Sequence, residues 1–320
     1  MPLRLVMMGT GRFALPTFRG LYGTPHDVVG LFTQPDRHGK GHHDHVNPMK
    51  QLAEERGTPV FQPGRINLPE GLDALRELKP DLCVVAAYGQ ILSAELLAIP
   101  RLGAINVHAS LLPKYRGAAP IQYALWNGET ETGIAVFHIH PQLDAGPILG
   151  VVSTPIDSRE TYGELELRLA DLAVPLTLQV IEQIANGTAR PIVQDAAAVT
   201  KAPRLKKEQG EIDWRKTSRL VDCHVRAMQP WPKPFTFWHH AGRPPLRVIA
   251  LAVDPHVETE KPNVEPGTVT RCDGKRLFVR TGDGEVEILQ IQPEGKRAMT
   301  TEEFLPGNPV QTGDRFGPLE

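Results

Sequence analysis

The chain has 320 residues, 41% of them hydrophobic and 22% charged, with a formal net charge of −2. That length fits about two domains, and the composition is that of an ordinary globular protein. The near-neutral balance gives no electrostatic footprint for nucleic acid, and no apolar run reaches the roughly 18 residues of a membrane span. The cysteines, Cys83, Cys223 and Cys272, are odd in number and far apart, which argues for reduced thiols and a cytoplasmic location. The apolar stretch in MPLRLVMMGTGRF is too short for a signal peptide.

The N-terminus reads strand, turn, helix: an apolar run from Leu3 to Met8, the turn Gly9-Thr10-Gly11, then helical spacing from about Ala14 to Leu21. A second strand is expected over Val28–Thr33. Residues 34–50, QPDRHGKGHHDHVNPMK, form a polar loop with five charges and four histidines. Helices are expected over Met49–Arg56 and Leu68–Leu78, with a short strand at 59–61 between them. DLCVVAAY, residues 81–88, is apolar without alternation, as in a strand covered on both faces. Further strands are expected over 103–107, 133–140 and 150–154, followed by a long amphipathic helix over 161–185 that contains Pro175. Strands alternating with helices predict an open, mostly parallel α/β sheet over residues 1–189. Residues 190–209 read as a linker. From 210 to 320, one helix near 218–228 and five short β runs (235–238, 246–253, 267–271, 277–280 and 286–292) predict a small β-barrel.

In an open parallel sheet, ligands bind beyond the carboxyl ends of the strands. Asn106 and His108 close such a strand, and their i, i+2 spacing sends both side chains to one face. An amide there can donate to a developing oxyanion, and an imidazole can move a proton or carry a charge. On these two residues alone, a hydrogen-bonded turn at a strand end is the simpler reading. Asp144, in Leu143-Asp144-Ala145-Gly146, adds a carboxylate after the strand 133–140; alone it reads equally as an Asx-turn. Asn106, His108 and Asp144 together, beyond two strand ends of one sheet, point to polar catalysis. GTGRFA has Ala14 where a dinucleotide fingerprint has its third glycine, so that turn reads as a plain strand–helix connection. His38, His42, His43 and His45 lack a cysteine and sit among glycines, which disfavours a closed metal site. His138 and His140 share a face and fit half-buried strand histidines.

Taken together, these stretches closely resemble the methionyl-tRNA formyltransferase family. The likeness runs through NVHASLLPKYRGAAPIQYALWNGE (106–129), Gly133 with LDAG (143–146), TQPDR (33–37), PVFQP (59–63) and AYGQIL (87–92). It continues in order through EIDW (211–214), RAMQPWP (226–232) and QPEGKRAMTTEEFLPG (292–307), covering nearly the whole chain. The resemblance implies a Rossmann-like catalytic domain over 1–189 and a C-terminal OB-like, tRNA-binding barrel over 210–320. It implies transfer of the formyl group of 10-formyltetrahydrofolate to the α-amino group of methionyl-initiator tRNA, by a cytoplasmic monomer without metal or membrane. The catalytic positions fall on Asn106, His108 and Asp144. The folate-contacting run falls on Ser110, Leu111, Leu112 and Pro113. For tRNA, the candidates are Arg37, Lys40, Lys50, Lys206 and Lys207.

Two departures stand out. Gly11-Arg12 occupies a place where the family usually has Pro-Asp, and His42, His43, Asp44 and His45 stand where further lysines are expected. Mostly neutral histidines reduce the counterion release that strengthens phosphate binding. Rival readings are a formyltransferase for a small amine, a 10-formyltetrahydrofolate hydrolase, an idle RNA-binding scaffold, and a metal module on the histidine loop.

Overall fold

The computed structural model describes residues 2–36, 47–240, 242–257 and 264–319. The chain divides into two compact units. The first comprises Met1–Pro120, Glu131–Pro155 and Leu165–Pro203; the second comprises Ile121–Thr130, Ile156–Glu164 and Arg204–Glu320.

The first half of the chain runs β1 (Arg4–Gly9), α1 (Ala14–Leu21), β2 (Asp27–Phe32), α2 (Pro48–Glu55), β3 (Val60–Phe61), α3 (Pro69–Glu77), β4 (Leu82–Ala86), α4 (Ala94–Leu97), β5 (Ala104–His108), α5 (Pro120–Trp126), β6 (Glu131–His138), β7 (Ile148–Pro155) and α6 (Tyr162–Ala185). The sheet order is β3-β2-β1-β4-β5-β6-β7. β1 to β5 pair in parallel, and β6 and β7 are antiparallel additions at one edge. The sheet is thus Rossmann-like and mostly parallel. β4 is buried at all five residues, as its unbroken apolar run requires. α1 buries Ala14, Thr17, Phe18 and Leu21, one stripe at helical spacing. α2 starts where Asn47 accepts from the Met49 and Lys50 amides and Pro48 fills the first turn. α6 tolerates Pro175 because that residue lies on the solvent side, where water can take up the freed Asp171 carbonyl.

The remaining elements are α7 (Ser218–Ala227), β8 (Phe235–His239), β9 (Leu246–Val257), β10 (Val269–Cys272), β11 (Leu277–Arg280), β12 (Gly284–Pro293), β13 (Met299–Thr300), α8 (Thr301–Phe304) and β14 (Arg315–Gly317). The strands form a curled antiparallel sheet ordered β10-β11-β12-β9-β8-β14, with β13 pairing to β12. A bridge between Thr268 and Arg315 links its two ends. The interior holds Trp214, Trp238, Phe304, Phe316 and the aliphatic faces of β9, β11 and β12. The short elements α4, α5, α8, β13 and β14 were not expected from sequence, since two to seven residues are too few for a period to show.

Two expected outcomes follow. A Cβ on Gly9 would lie 2.8 Å from the Ala86 carbonyl and 2.9 Å from the Ala14 Cβ, at the crowded end of β1. Gly9→Ala is therefore expected to cost about 1–3 kcal/mol, read as a lowered Tm. His224 on α7 is buried, stacks on Trp126 at 5.4 Å, and shares a 2.8 Å hydrogen bond between Nε2 and the Gln209 carbonyl. Burial pushes its pKa down from 6.5 to about 4. Between those values the unfolded chain binds the extra proton, so stability falls as pH drops from 6.5 toward 4, by up to roughly 3 kcal/mol. Acid denaturation of His224→Gln should show a flatter slope across that window than the wild type.

Candidate active site

β5 ends in Asn106 and His108. Asn106 pairs across to Phe137 on β6 and His108 to Ala135, so the polar pair shares a face with these apolar side chains. Leu112 packs on the same apolar cluster, with Ala135, Phe137 and Ile148. The His108 ring is 5% exposed and meets Phe137 edge-on, with centroids 6.3 Å apart. Its Nε2 lies 3.0 Å from the Tyr115 carbonyl. A carbonyl only accepts, so Nε2 carries the hydrogen in this arrangement. The other nitrogen, Nδ1, lies 3.9 Å from Asp144 Oδ2. That is ion-pair reach without a direct hydrogen bond, so the Nδ1 edge is the one left for a ligand. Asn106 is half-buried, and its amide has no hydrogen-bond partner among the described residues.

The route taken by Asp144 differs from the sequence expectation. β6 is antiparallel to β5: its last residue, His138, pairs with Ile105, not with the end of β5. Asp144 reaches His108 because the return loop between β6 and β7 carries it back. There Asp144 takes a left-handed backbone (φ 48°), which Asp tolerates better than most residues. Its Oδ2 accepts from the Gly117 amide at 2.7 Å. Burial of the His138 ring pushes its pKa down, as for a half-buried strand histidine.

The loop after β5 is fixed at several points. Ser110 is buried and donates to the Lys114 carbonyl at 2.7 Å; the Lys114 amide donates to Leu111 at 3.1 Å. Leu111 and Pro113 are half-buried and Leu112 is buried, so this stretch offers apolar wall. Tyr115 is left-handed (φ 62°), and its amide donates to Thr200 Oγ1 at 2.8 Å. Residues 116–119 are strapped by 200–202: Arg116 donates to the Thr200 carbonyl at 2.9 Å, and Ala202 donates to the Arg116 carbonyl at 2.7 Å. Gly117 must be glycine twice over: its φ is 130°, and a Cβ would strike the Ala202 carbonyl.

Residues 3–181 match the family model described as Formyl transferase, and residues 204–309 match that of the Formyl transferase C-terminal domain. The chain belongs to the formyl transferase family. Solved structures share its fold. An N-formyltransferase from Helicobacter canadensis in complex with folinic acid and dTDP-3-aminofucose has a TM-score of 0.66 at 17% identity, over 89% of this chain and 98% of its own. WlaRD, a sugar 3N-formyl transferase, has a TM-score of 0.65 at 16% identity, over 93% and 100%. HypX from Aquifex aeolicus in complex with tetrahydrofolic acid has a TM-score of 0.63 at 16% identity, over 95% of this chain and 47% of that one. The chain spans about half the length of the HypX chain that it matches.

The other residues singled out from sequence scatter. Lys50 on α2 pairs with Asp36 at 2.7 Å, while Lys206 and Lys207 are exposed in the second unit. Arg37, Lys40, His38, His42, His43 and His45 lie outside the described residues. Among the described residues no cluster of His, Cys, Asp and Glu could hold a metal ion, and no helix is long and apolar enough to cross a membrane. Sequence reading missed Gln194, Thr200 and the backbone groups of Tyr115 and Gly117, which hold the site together through contacts remote in sequence. Gly117→Ala is expected to lower activity by about 100-fold or more, through a displaced Asp144, and to lower Tm. Turnover and melting of the purified variant check this.

Proposed function

We propose that the enzyme transfers the formyl group of 10-formyltetrahydrofolate to the α-amino group of methionyl-initiator tRNA. The observation that carries this choice of acceptor is the run of family-like sequence through the second unit: EIDW, RAMQPWP and QPEGKRAMTTEEFLPG. The donor is supported by the tetrahydrofolate and folinic acid complexes of the structural neighbours. On this reading the curled sheet of the second unit is an OB-like barrel facing tRNA, and Arg37, Lys40, Lys50, Lys206 and Lys207 supply charge to phosphates.

The amine attacks the formyl carbon, and the carbonyl oxygen becomes an oxyanion. The Asn106 amide and a protonated His108 ring donate to it. The carboxylate of Asp144, beside the ring, takes the proton lost by the amine. The oxyanion then collapses to a carbonyl, the bond from the formyl carbon to N10 breaks, and N10 leaves with the proton that Asp144 took up. The Leu111–Pro113 wall and the buried Ser110 hold the flat donor. A 3.9 Å gap between His108 and Asp144 is compatible with this role, since catalytic contacts tighten when substrate binds.

A second reading is formyl transfer to an amino sugar nucleotide, because two of the neighbours are such enzymes or carry such a ligand. Purified protein with 10-formyltetrahydrofolate should formylate charged initiator tRNA, with elongator methionine tRNA, an amino sugar nucleotide and tRNA-free buffer tested beside it. Asp144→Asn should lower initiator formylation by roughly 100- to 10,000-fold. Transfer to the sugar alone, or release of formate without tRNA, overturns the proposed acceptor.

A further inference from the structure

Residues 190–203 carry an inverted burial pattern. Ile192 is 66% exposed and Val193 is 86% exposed, yet the polar Gln194 beside them is only 8% exposed. A buried amide needs partners for both its oxygen and its nitrogen. Gln194 has four. Its Oε1 accepts from Arg116 Nε at 3.1 Å and Nη2 at 2.8 Å. Its Nε2 donates to the Asp144 carbonyl at 2.9 Å and the Gly146 carbonyl at 2.8 Å. Guanidinium groups only donate and carbonyls only accept, so these partners fix which end of the amide is oxygen.

We propose that Gln194 is a positioning residue for the His108–Asp144 pair, clamping the two loops whose separation sets the pair's geometry. One loop is 115–117. Its Tyr115 carbonyl meets His108 Nε2, and its Gly117 amide meets the Asp144 carboxylate. Arg116, between them, ends on Gln194. The other loop is 144–146. Gln194 holds the carbonyls on both sides of Ala145, which fixes the left-handed turn at Asp144. Gly146 has no room to yield, because a Cβ there would strike the His138 carbonyl. The clamp itself is anchored to the sheet by reciprocal 2.8 Å bonds between Ile192 and Ile148. Arg116 thereby acts through geometry, with its charge spent on an amide oxygen. Folate-wall residues 110–113 are not among the partners of Gln194. Loss of the clamp therefore disturbs the reacting pair more than donor binding.

The inference rests on the proposed formyl transfer, and its test separates the two. Gln194→Leu removes all four bonds. Gln194→Glu keeps the acceptor for Arg116 but sets a carboxylate against two carbonyls. Both are compared with wild type by kcat and KM for the formyl donor. They are also compared by the ring 1H–15N spectrum of His108 in the full chain, assigned by its absence in His108→Asn. The expected result is a kcat lowered about 10- to 100-fold, KM for the donor within about two-fold, and a His108 spectrum moved away from its fixed Nε2–H form. Should Gln194→Leu fail to fold, the near-isosteric Gln194→Glu carries the same readouts. A folded variant with wild-type kcat and an unmoved His108 spectrum overturns the clamp. A His108 spectrum moved in the variants, where the wild-type enzyme does not formylate tRNA, leaves the clamp standing and removes only the acceptor.

Discussion

The 2.7 Å hydrogen bond from the Gly117 amide to the Asp144 carboxylate is the contact on which the site's geometry rests. It joins the loop after β5 to the return loop between β6 and β7, which no strand pairing holds together. A backbone donor to a carboxylate is among the stronger hydrogen bonds in a protein, and this one also aims Asp144 at His108. Its conditions are narrow: a glycine at 117 that can adopt φ 130°, an aspartate at 144 in the left-handed region, and a third segment, 192–202, that straps both loops. The geometry of the candidate site is thus made by loops, on a sheet that supplies the rigid base.

That base also sets the electrostatics. Asn106 and His108 leave an apolar sheet face bearing Ala135 and Phe137, on which the loop residue Leu112 packs. Burial of this kind removes water that would screen a donor, which on the proposed mechanism strengthens the hydrogen bonds to a developing charge. Protein groups in fixed places surround the pair: the Tyr115 carbonyl, the Gly117 amide and the Gln194 amide.

Much of this was legible in the sequence where the signal is local. The unbroken apolar run of β4, the glycine turn after β1 and the helical stripe of α1 are each signals within a few residues, and the Asn106, His108 and Asp144 positions sit in short, recognisable stretches. The antiparallel direction of β6 was not legible, because strand alternation reads the same either way. Nor was the role of Gln194, which lies 78 residues from Arg116 and 50 from Asp144, in a stretch whose composition suggests a linker. His224 gave no signal either: its burial depends on Trp126, remote in sequence.

On the proposed mechanism, Asn106 and His108 receive the oxygen of a formyl group held by the loop that follows them. A crystal structure with a stable donor analogue, 10-formyl-5,8-dideazafolate, tests it most directly. The formyl oxygen is expected within hydrogen-bonding distance of the Asn106 amide and a His108 ring nitrogen, with the heterocycle against residues 110–113. A formyl group turned away from both side chains, or an analogue seated away from that loop, contradicts it.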